Sequence, residues 1–495
     1  MSDSSNNRLR RFLPWLLLAV LALLPYLSSL SNPVIHDDRA LLIGNSWLAD
    51  EATAVGLFQA DYWAGTRMEG GDLYRPVTVL SLMWNLRYGG GSVSFRVVNL
   101  LLHAGVVLML AWMLRVVLPA GCRQGAWFGA ALFAVHPLGS EAVLWIVGRA
   151  EMLAALFGMA AFILYVQLSR RAGFGGWRLA LSVVLFLLAL FSKESTAVWI
   201  GIAAVWVFLY RKELDTSAMV RVVHGTLYLG VLGLFLGFRG SAVGWATKAP
   251  FFVDNPLVTL DAPQRIANAF VLLGFYGYKM IWPRTLSIDW AYDQLPVVGL
   301  MWAVPLALLL VAGWIGVALL LRKRSVPALF LWVFIAAGFA VTANVLIPIG
   351  TNFAERLAYL PLAGACGLAG FGLSRLSWNT SAKVAAVVIV VLLAGFRTGV
   401  RVTDFRSSTA VYEATARAAP RAVKSLTTLG NIRLRQERRP DLAIPILERV
   451  VSIWPEYPRA LSSLAEAYAV TGNRTGAVEM DRRAREAAER LQSMQ

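Results

Sequence analysis

Cysteine is almost absent from this chain, which has two cysteines, Cys122 and Cys366, among 495 residues. Both fall near or inside apolar runs, so a disulfide framework is not expected. Charged residues are also scarce, at 15% against 58% hydrophobic residues, and this composition excludes an ordinary soluble globular protein. It predicts an all-α, polytopic membrane protein.

Several common site motifs are also missing. The sequence has no GxxxxGK[ST] phosphate-binding loop, no GxSxG nucleophile motif and no CxxC pair. Its four histidines, at positions 36, 103, 136 and 224, do not have the spacing of zinc ligands. We therefore assign no metal-ligand residues, no cofactor is certain, and a divalent-metal requirement stays open.

Apolar runs divide the first 403 residues into about eleven predicted membrane spans. The first run lacks a small-residue cleavage site and is interpreted as a retained span. The third is short and precedes an apolar loop, which favours a broken helix. The predicted spans are 12–30, 96–118, 125–137, 151–169, 177–192, 196–210, 221–238, 298–321, 326–345, 357–376 and 384–400.

The net charge of +17 follows the predicted topology. Outside residues 404–495, the whole excess of Lys and Arg falls in segments predicted to be cytoplasmic, so no nucleic-acid partner is needed to explain it. The N-terminus is then cytoplasmic, and the long loops 31–95 and 239–297 are extracytoplasmic. The run 266–283 is interpreted as re-entrant or embedded in the bundle, because a full span there would place Arg322, Lys323 and Arg324 outside.

The stretch Asn32–Arg39, which directly follows the first span, contains His36, Asp37, Asp38 and Arg39. Carboxylates at a membrane surface are costly and often functional, so this stretch is a candidate site. The alternative is a solvated loop whose charges have no role.

Other charged residues recur at the extracytoplasmic ends of spans. A single charge there is usually a snorkelling anchor, but several acids and bases on one side favour a shared polar chamber. Such a chamber suits a lipid-linked phosphate, met by Arg and Lys, with the sugar near a carboxylate. The residues concerned are Arg75, His136, Glu141, Arg149, Glu151, Lys193, Glu194, Asp254, Lys279, Asp289, Glu355 and Arg356.

Residues 404–495 differ in character: they are charged, helical in pattern and lack a span. Residues 425–430 and 460–465 align at a separation of 34 to 35 residues, the period of tetratricopeptide repeats (TPR). About two repeats are predicted, on the extracytoplasmic side. Two repeats are few for independent stability, so we expect capping by residues 412–419 or docking on the membrane domain.

Together these residues resemble the transmembrane and tetratricopeptide-repeat O-mannosyltransferases (TMTC), within the GT-C class of polyprenyl-phosphate-sugar glycosyltransferases. The ordered set runs through about 370 residues. It comprises Asp37-Asp38 with Asn45, Tyr74-Arg75-Pro76, Asn99 to His103, His136-Pro137 with Glu141, Gly148 to Glu151, Ser192-Lys193-Glu194, Asp254-Asn255-Pro256, Pro283 with Leu286 to Trp290, Asn344, Pro348, Gly350, Ala354-Glu355-Arg356 and Tyr359-Leu360-Pro361.

The resemblance implies a GT-C-like domain at 1–403, and an inverting transfer of a hexose, mannose by analogy, from a polyprenyl-phosphate donor to a protein or glycan hydroxyl. It implies that Asp37 is the catalytic base, with Asp38 in support. Because they are positively charged and predicted to lie on the extracytoplasmic side, we add Arg149, Lys193 and Arg356 as ligands of the donor phosphate. His136, Glu141, Arg75, Glu355 and Asp289 are expected to support them. A bacterial inner membrane and an undecaprenyl-type donor are also expected.

Two alternatives remain at this stage. A catalytically degenerate scaffold would present the TPR segment to recruit envelope proteins, and there Asp37 would be dispensable. A transporter is the third reading, but no internal duplication or paired broken helices are apparent.

Overall fold

The computed structural model describes residues 2–35, 37–68, 70–245 and 250–493, without the side chains of 2–11, 492 and 493. Within those ranges the chain is helical and contains no strand. His36, which belongs to the candidate stretch 32–39, lies outside the described residues. The all-α prediction is confirmed for the part of the chain that the structure describes.

Fifteen helices make up the membrane part. They are α1 (Ser2–Leu23), α2 (Asp37–Leu42), α3 (Pro76–Tyr88), α4 (Ser92–Val117), α5 (Gln124–Val135), α6 (Ser140–Leu144), α7 (Arg149–Ser169), α8 (Gly176–Ser192), α9 (Val198–Tyr210), α10 (Ala218–Val243), α11 (Ala262–Ile281), α12 (Leu300–Arg324), α13 (Val326–Phe339), α14 (Tyr359–Arg375) and α15 (Thr380–Asp404).

Each of the eleven predicted spans contains a helix. Among the described residues, seven helices are long and apolar enough to cross a bilayer. The pair Gln124–Val135 and Pro137–Leu144, bent by 54°, makes an eighth if it is counted as one broken span. The helices α8, α9 and α13 have 17, 13 and 14 residues, so at about 1.5 Å per residue each is shorter than a 30 Å hydrocarbon core. The protein is therefore a multi-pass membrane protein in which some predicted spans are short helices packed in the bundle.

The outer faces of several helices are apolar. Leu309 of α12 is 68% exposed and Phe396 of α15 is 76% exposed, and both have many exposed apolar neighbours. Apolar surface of this extent is not stable in water, so these faces contact lipid. The helices α4, α5, α7 and α14, by contrast, each contribute several buried residues to the core.

The bend after α5 and the helix α11 bear on two predictions, the broken helix at the third span and the nature of the run 266–283. Proline at 137 cannot continue α5, and the His136 ring accepts the Leu138 N–H at the new helical turn, so the expected broken helix is confirmed. The run 266–283 forms a continuous helix, α11, that packs along α12.

The tail that follows α15 contains five helices: α16 (Ser408–Ala418), α17 (Val423–Asn431, extended by a π-helical turn Ile432–Gln436), α18 (Pro440–Ile453), α19 (Pro458–Val470) and α20 (Arg474–Ser493). The aligned segments 425–430 and 460–465 fall in α17 and α19, which begin two successive helix pairs. The helix α16 packs on α17, as expected for a cap, and the tail also contacts the loop that follows α10.

The closest helix contact in the core joins α5 and α14 through glycines. A Cβ atom at Gly370 would clash with the Gly125 carbonyl oxygen and with the backbone of Gly129. Without a strong hydrophobic drive between helices in lipid, such close backbone packing is a main source of helix association.

We therefore expect Gly370→Ala to destabilise the full-length protein by about 1–3 kcal/mol, because the two helices must separate. Gly372→Ala is the matched control on the same helix, since a Cβ atom at Gly372 meets nothing within 4 Å. Thermal unfolding in detergent measures both variants. Equal melting temperatures for the two would contradict this account of the α5–α14 contact.

Candidate functional site

Asp38 is a buried anchor for the turn between α6 and α7. Its carboxylate accepts the backbone N–H groups of Ile146 and Val147, at 3.0 and 2.9 Å. These N–H groups lie between two helices and need an acceptor outside the helical ladder. Burial raises the pKa of Asp38 to about 7, against the opposing effects of the two N–H groups and Arg96. Asp38 therefore holds the first loop on the bundle.

Asp37, the preceding residue, is only half-buried. Its charge interacts with residues from the first loop, from the segment just before α14 and from the tail. These groups include Asp38, Tyr62, Arg356, Tyr412 and Lys424. Arg356 and Lys424 are the cations of this set, and they come from segments that are distant in the sequence.

Three ion pairs join charged residues predicted for the site, and Arg356 of one pair interacts with the Asp37 charge. Arg75 binds Glu194 through two hydrogen bonds of 2.9 and 3.1 Å, over 119 residues of sequence. Lys193 pairs with Glu151, and burial lowers the pKa of Lys193 while Glu151 opposes that effect. Both pairs connect the segment after α8 to another element. The structure therefore pairs charged residues that the sequence had only predicted to lie on the same side of the membrane.

Arg356 forms the third pair and differs from the others. Its Nη1 donates to Glu141 Oε1 at 2.6 Å, and its backbone N–H donates to Glu141 Oε2 at 2.9 Å. The guanidinium lies 4.9 Å from the centre of the Trp145 ring. Its side chain is 29% exposed, and its Nε and Nη2 atoms donate to no acceptor in the described part of the chain. Arg356 can therefore accept an anion without losing Glu141.

Arg149 has a different environment from that expected. The guanidinium is fully buried and donates to the side chains of Asn99 and Asn85 and to the carbonyl groups of Ser81 and Phe95, at 2.8 to 3.1 Å. A guanidinium has five N–H donors, so four are already in use. We assign Arg149 a structural role that joins α7 to α3 and α4, in place of the phosphate contact expected from sequence.

His136, Glu355 and Asp289 hold backbone segments around the ion pairs. His136 accepts the Leu138 N–H at Nδ1, so its Nε2 carries the proton that it donates to the Met280 carbonyl at 3.0 Å. Glu355 accepts the Ser287 N–H at 2.7 Å. Asp289 accepts the Ala291 N–H at 2.9 Å and is bonded to the tail through its other oxygen. All three act as supports.

A pocket opens beside the Lys193–Glu151 pair, between α7, α9, α13 and α14. It is narrow, with a cavity volume of about 20 Å³, which is room for about one water molecule. The buried Thr342 hydroxyl lines it and has no hydrogen-bond partner in the part of the chain that the structure describes. The other lining residues are Ala154, Ala155, Ser195, Thr196, Trp199, Gly338, Leu357 and Leu360. Sequence analysis missed Thr342 because a lone threonine in an apolar run has no distinguishing signal.

An apolar groove continues from this pocket along α7, and the two share Trp199. From Glu151 to Tyr165 the helix rises about 21 Å at 1.5 Å per residue. The groove is lined by Gly158, Ala161, Phe162, Tyr165, Phe186, Trp199, Ala203 and Tyr228. The pocket therefore lies beside an ion pair, whereas the groove is lined mostly by apolar and aromatic side chains.

The chain is similar in sequence to several proteins that are named protein O-mannosyl-transferases. Protein O-mannosyl-transferase TMTC4 of Homo sapiens is 29% identical over 84% of this chain and 63% of its own length. The TMTC4 protein of Mus musculus is 27% identical over the same shares, and TMTC3 of Homo sapiens is 25% identical over 90% of this chain and 52% of its own length. The resemblance predicted from the motifs is confirmed over most of the chain, which spans less than two thirds of the length of these relatives.

No family model matches the chain. Among solved structures, the cryo-EM structure of arabinofuranosyltransferase AftD from mycobacteria is similar with a TM-score of 0.41 and 17% identity. The match covers 79% of this chain and 27% of that chain.

The structural role of Arg149 can be tested directly. We expect Arg149→Lys to lower the free energy of unfolding by about 2–4 kcal/mol, because an ammonium group cannot replace the planar fork and leaves buried acceptors unpaired. Arg211→Lys is the control, since the Arg211 guanidinium is exposed and donates only to the Phe208 carbonyl. Thermal unfolding of both variants is the measurement, and an unaltered melting temperature for Arg149→Lys would return Arg149 to the list of possible ligand contacts.

Proposed function

Because the chain resembles protein O-mannosyl-transferases over most of its length, we propose that it is a glycosyltransferase that transfers a hexose, mannose by analogy, to a hydroxyl of a protein or glycan. The observation that carries this proposal is the electrostatic interaction of Asp37 with Arg356, together with the ion pairs Arg75–Glu194 and Lys193–Glu151 of the segment after α8. That arrangement combines a base with cations that can hold a leaving phosphate.

In the proposed reaction Asp37 accepts the proton of the acceptor hydroxyl. The hydroxyl oxygen forms a bond to the anomeric carbon of the donor sugar while the bond from that carbon to the phosphate oxygen breaks. The phosphate leaves as an anion and needs no proton, because cations stabilise its charge. Attack from the side opposite the phosphate inverts the anomeric configuration. Asp38 fixes the start of α2, and so the position of Asp37, through its two backbone contacts.

We propose a polyprenyl phosphate as the lipid carrier of the sugar. The phosphate would lie between Arg356 and Lys193, with the Thr342 hydroxyl as an additional donor. The polyprenyl chain would follow the apolar groove along α7. Since Glu141 and Glu151 already neutralise these cations, the phosphate must share them, which favours release of the product after transfer.

The positive-inside pattern supports a cytoplasmic N-terminus and an extracytoplasmic site. On this topology Asp37, the long loops and the tail face the bacterial periplasm, or the equivalent outer side. We propose two domains, a GT-C-like membrane domain at 1–403 and a TPR domain of about two repeats at 404–495. The helix pairs α17–α18 and α19–α20 support the second.

We expect Asp37→Asn to reduce transfer by about 10²–10⁴-fold, because an amide cannot accept the hydroxyl proton. The melting temperature should be unaltered, since an amide keeps the size and polarity of a half-buried carboxylate. Transfer of radiolabelled mannose from a polyprenyl phosphate to envelope protein measures the effect. Asp50→Asn is the control, because Asp50 is an exposed acid in the same loop. A well-folded, fully active Asp37→Asn protein would remove Asp37 as the base and favour the scaffold alternative.

Lys193→Met should raise the KM for the lipid donor at least about tenfold, because it removes a phosphate ligand and leaves the Glu151 carboxylate uncompensated. The KM for the acceptor should change little. Lys212→Met, at the opposite end of the bundle, is the control with the same change of charge. An increase confined to the acceptor KM would place the donor phosphate elsewhere.

A further inference from the structure

The tail meets the second long loop through polar contacts at the start of α17. Lys424 Nζ lies 2.6 Å from Asp254 Oδ1, and Ser425 Oγ donates to Asp289 Oδ2 at 2.7 Å. These are successive tail residues, and both contact carboxylates of the loop. The tail therefore supplies a cation and a hydroxyl to a surface that is acidic.

Further contacts extend the same surface. Arg421 pairs with Asp293. Trp454, which directly follows α18, stacks on Tyr292 at 5.0 Å between ring centres and contacts Phe252 at 5.2 Å. The apolar cluster under these rings comprises Val253, Val423, Leu426, Val450, Tyr457 and Ala460. An interface with a buried apolar centre and a charged margin is typical of stable association.

The loop segment on which the tail docks is itself fixed to the membrane part. We call residues 284–290 the strap. Charged side chains hold the backbone of four successive strap residues: Arg397 binds the Arg284 carbonyl, Lys279 the Thr285 carbonyl, Arg401 the Leu286 carbonyl, and Glu355 the Ser287 N–H. The strap carries Asp289, so the Ser425 contact joins the tail to an element that is held from α11, α14 and α15.

Two residues of the docked tail, Tyr412 of α16 and Lys424 of α17, interact electrostatically with Asp37. Asp38, Tyr62 and Arg356 also interact with it. Lys424 and Arg356 are the cations among these five. They come from the tail and from the membrane part, so Asp37 is influenced by both.

We propose that the tail forms a fixed wall on the acceptor side of the site, in which Lys424 is a positioning residue that acts on Asp37. The acceptor hydroxyl reaches Asp37 between α17 and the strap, while the lipid donor enters from the pocket at Lys193. This inference rests on the proposed function. It makes the tail part of the catalytic unit, and not only a tethered module for capturing an acceptor.

The pH dependence of kcat/KM tests the electrostatic part, using the full-length protein. Lys424→Met removes a positive charge that favours the Asp37 carboxylate, so the acidic limb of the profile should move to higher pH by about 0.5 unit. Asp254→Asn leaves the Lys424 charge less neutralised, so the limb should move to lower pH. Arg435→Met is the control, because Arg435 pairs with Glu466 on an exposed part of the tail. Shifts in the same direction for Lys424→Met and Asp254→Asn, or none, would overturn the role of Lys424.

Hydrogen exchange of the full-length protein tests the docking without any activity. Backbone amides of residues 285–294 should be protected in the parent protein, and Lys424→Met or Ser425→Ala should increase exchange there while Arg435→Met does not. Fast exchange of 285–294 in the parent protein would overturn the fixed wall. If the segment is protected but no lipid-linked sugar is turned over by the parent, the proposed function fails and the docking stands.

Discussion

Charges that are buried at one end of an apolar bundle remain charged only if they are paired, and this requirement governs the candidate site. Moving an ion out of water costs several kcal/mol, and an attraction at short range must offset that cost. The pairs Arg75–Glu194, Lys193–Glu151 and Arg356–Glu141 meet the requirement with partners 119, 42 and 215 residues apart. Each pair therefore also fixes two distant segments relative to each other, so that helix packing and the charge arrangement depend on each other.

The same pairing limits what a ligand can do there. A phosphate that enters the pocket meets cations whose charge is already balanced, so it gains less than it would from free cations and must be bound by geometry as well as by charge. Arg356 is suited to this because two of its donor atoms have no acceptor among the described residues and its side chain is partly exposed. Asp37 adds a half-buried acid whose charge interacts with Arg356 and Lys424.

The sequence allowed prediction of the helical class, the positions of the eleven apolar runs, the bend at Pro137 and the side on which charges gather, because these follow from local composition and periodicity. The sequence could not show that Arg149 and Arg356 have different environments. Each arginine lies at or just before the start of an apolar helix and close to a glutamate, so their local sequence patterns are alike. The difference arises from Asn85 and Asn99, which are distant in sequence and hold Arg149 in the core. Asparagines on apolar helices were the signal available, since a buried amide needs a partner.

The repeat period of the tail allowed its helical repeats to be recognised. It did not show where the tail docks, because the spacing of repeats carries no information about their contacts with the rest of the chain. The strap explains why docking matters. A base that acts on a hydroxyl must be held within a fraction of an ångström of its productive position, and misplacement by about 1 Å can cost 10²-fold in rate. Asp37 is on a short helix in a long loop, which alone would not give that precision. Asp38 holds it through the α6–α7 turn. Arg356, just before α14, and Lys424, in a tail anchored on Asp254 and Asp289, interact with its charge. In the proposed reaction these three parts of the fold restrain the loop that carries the base.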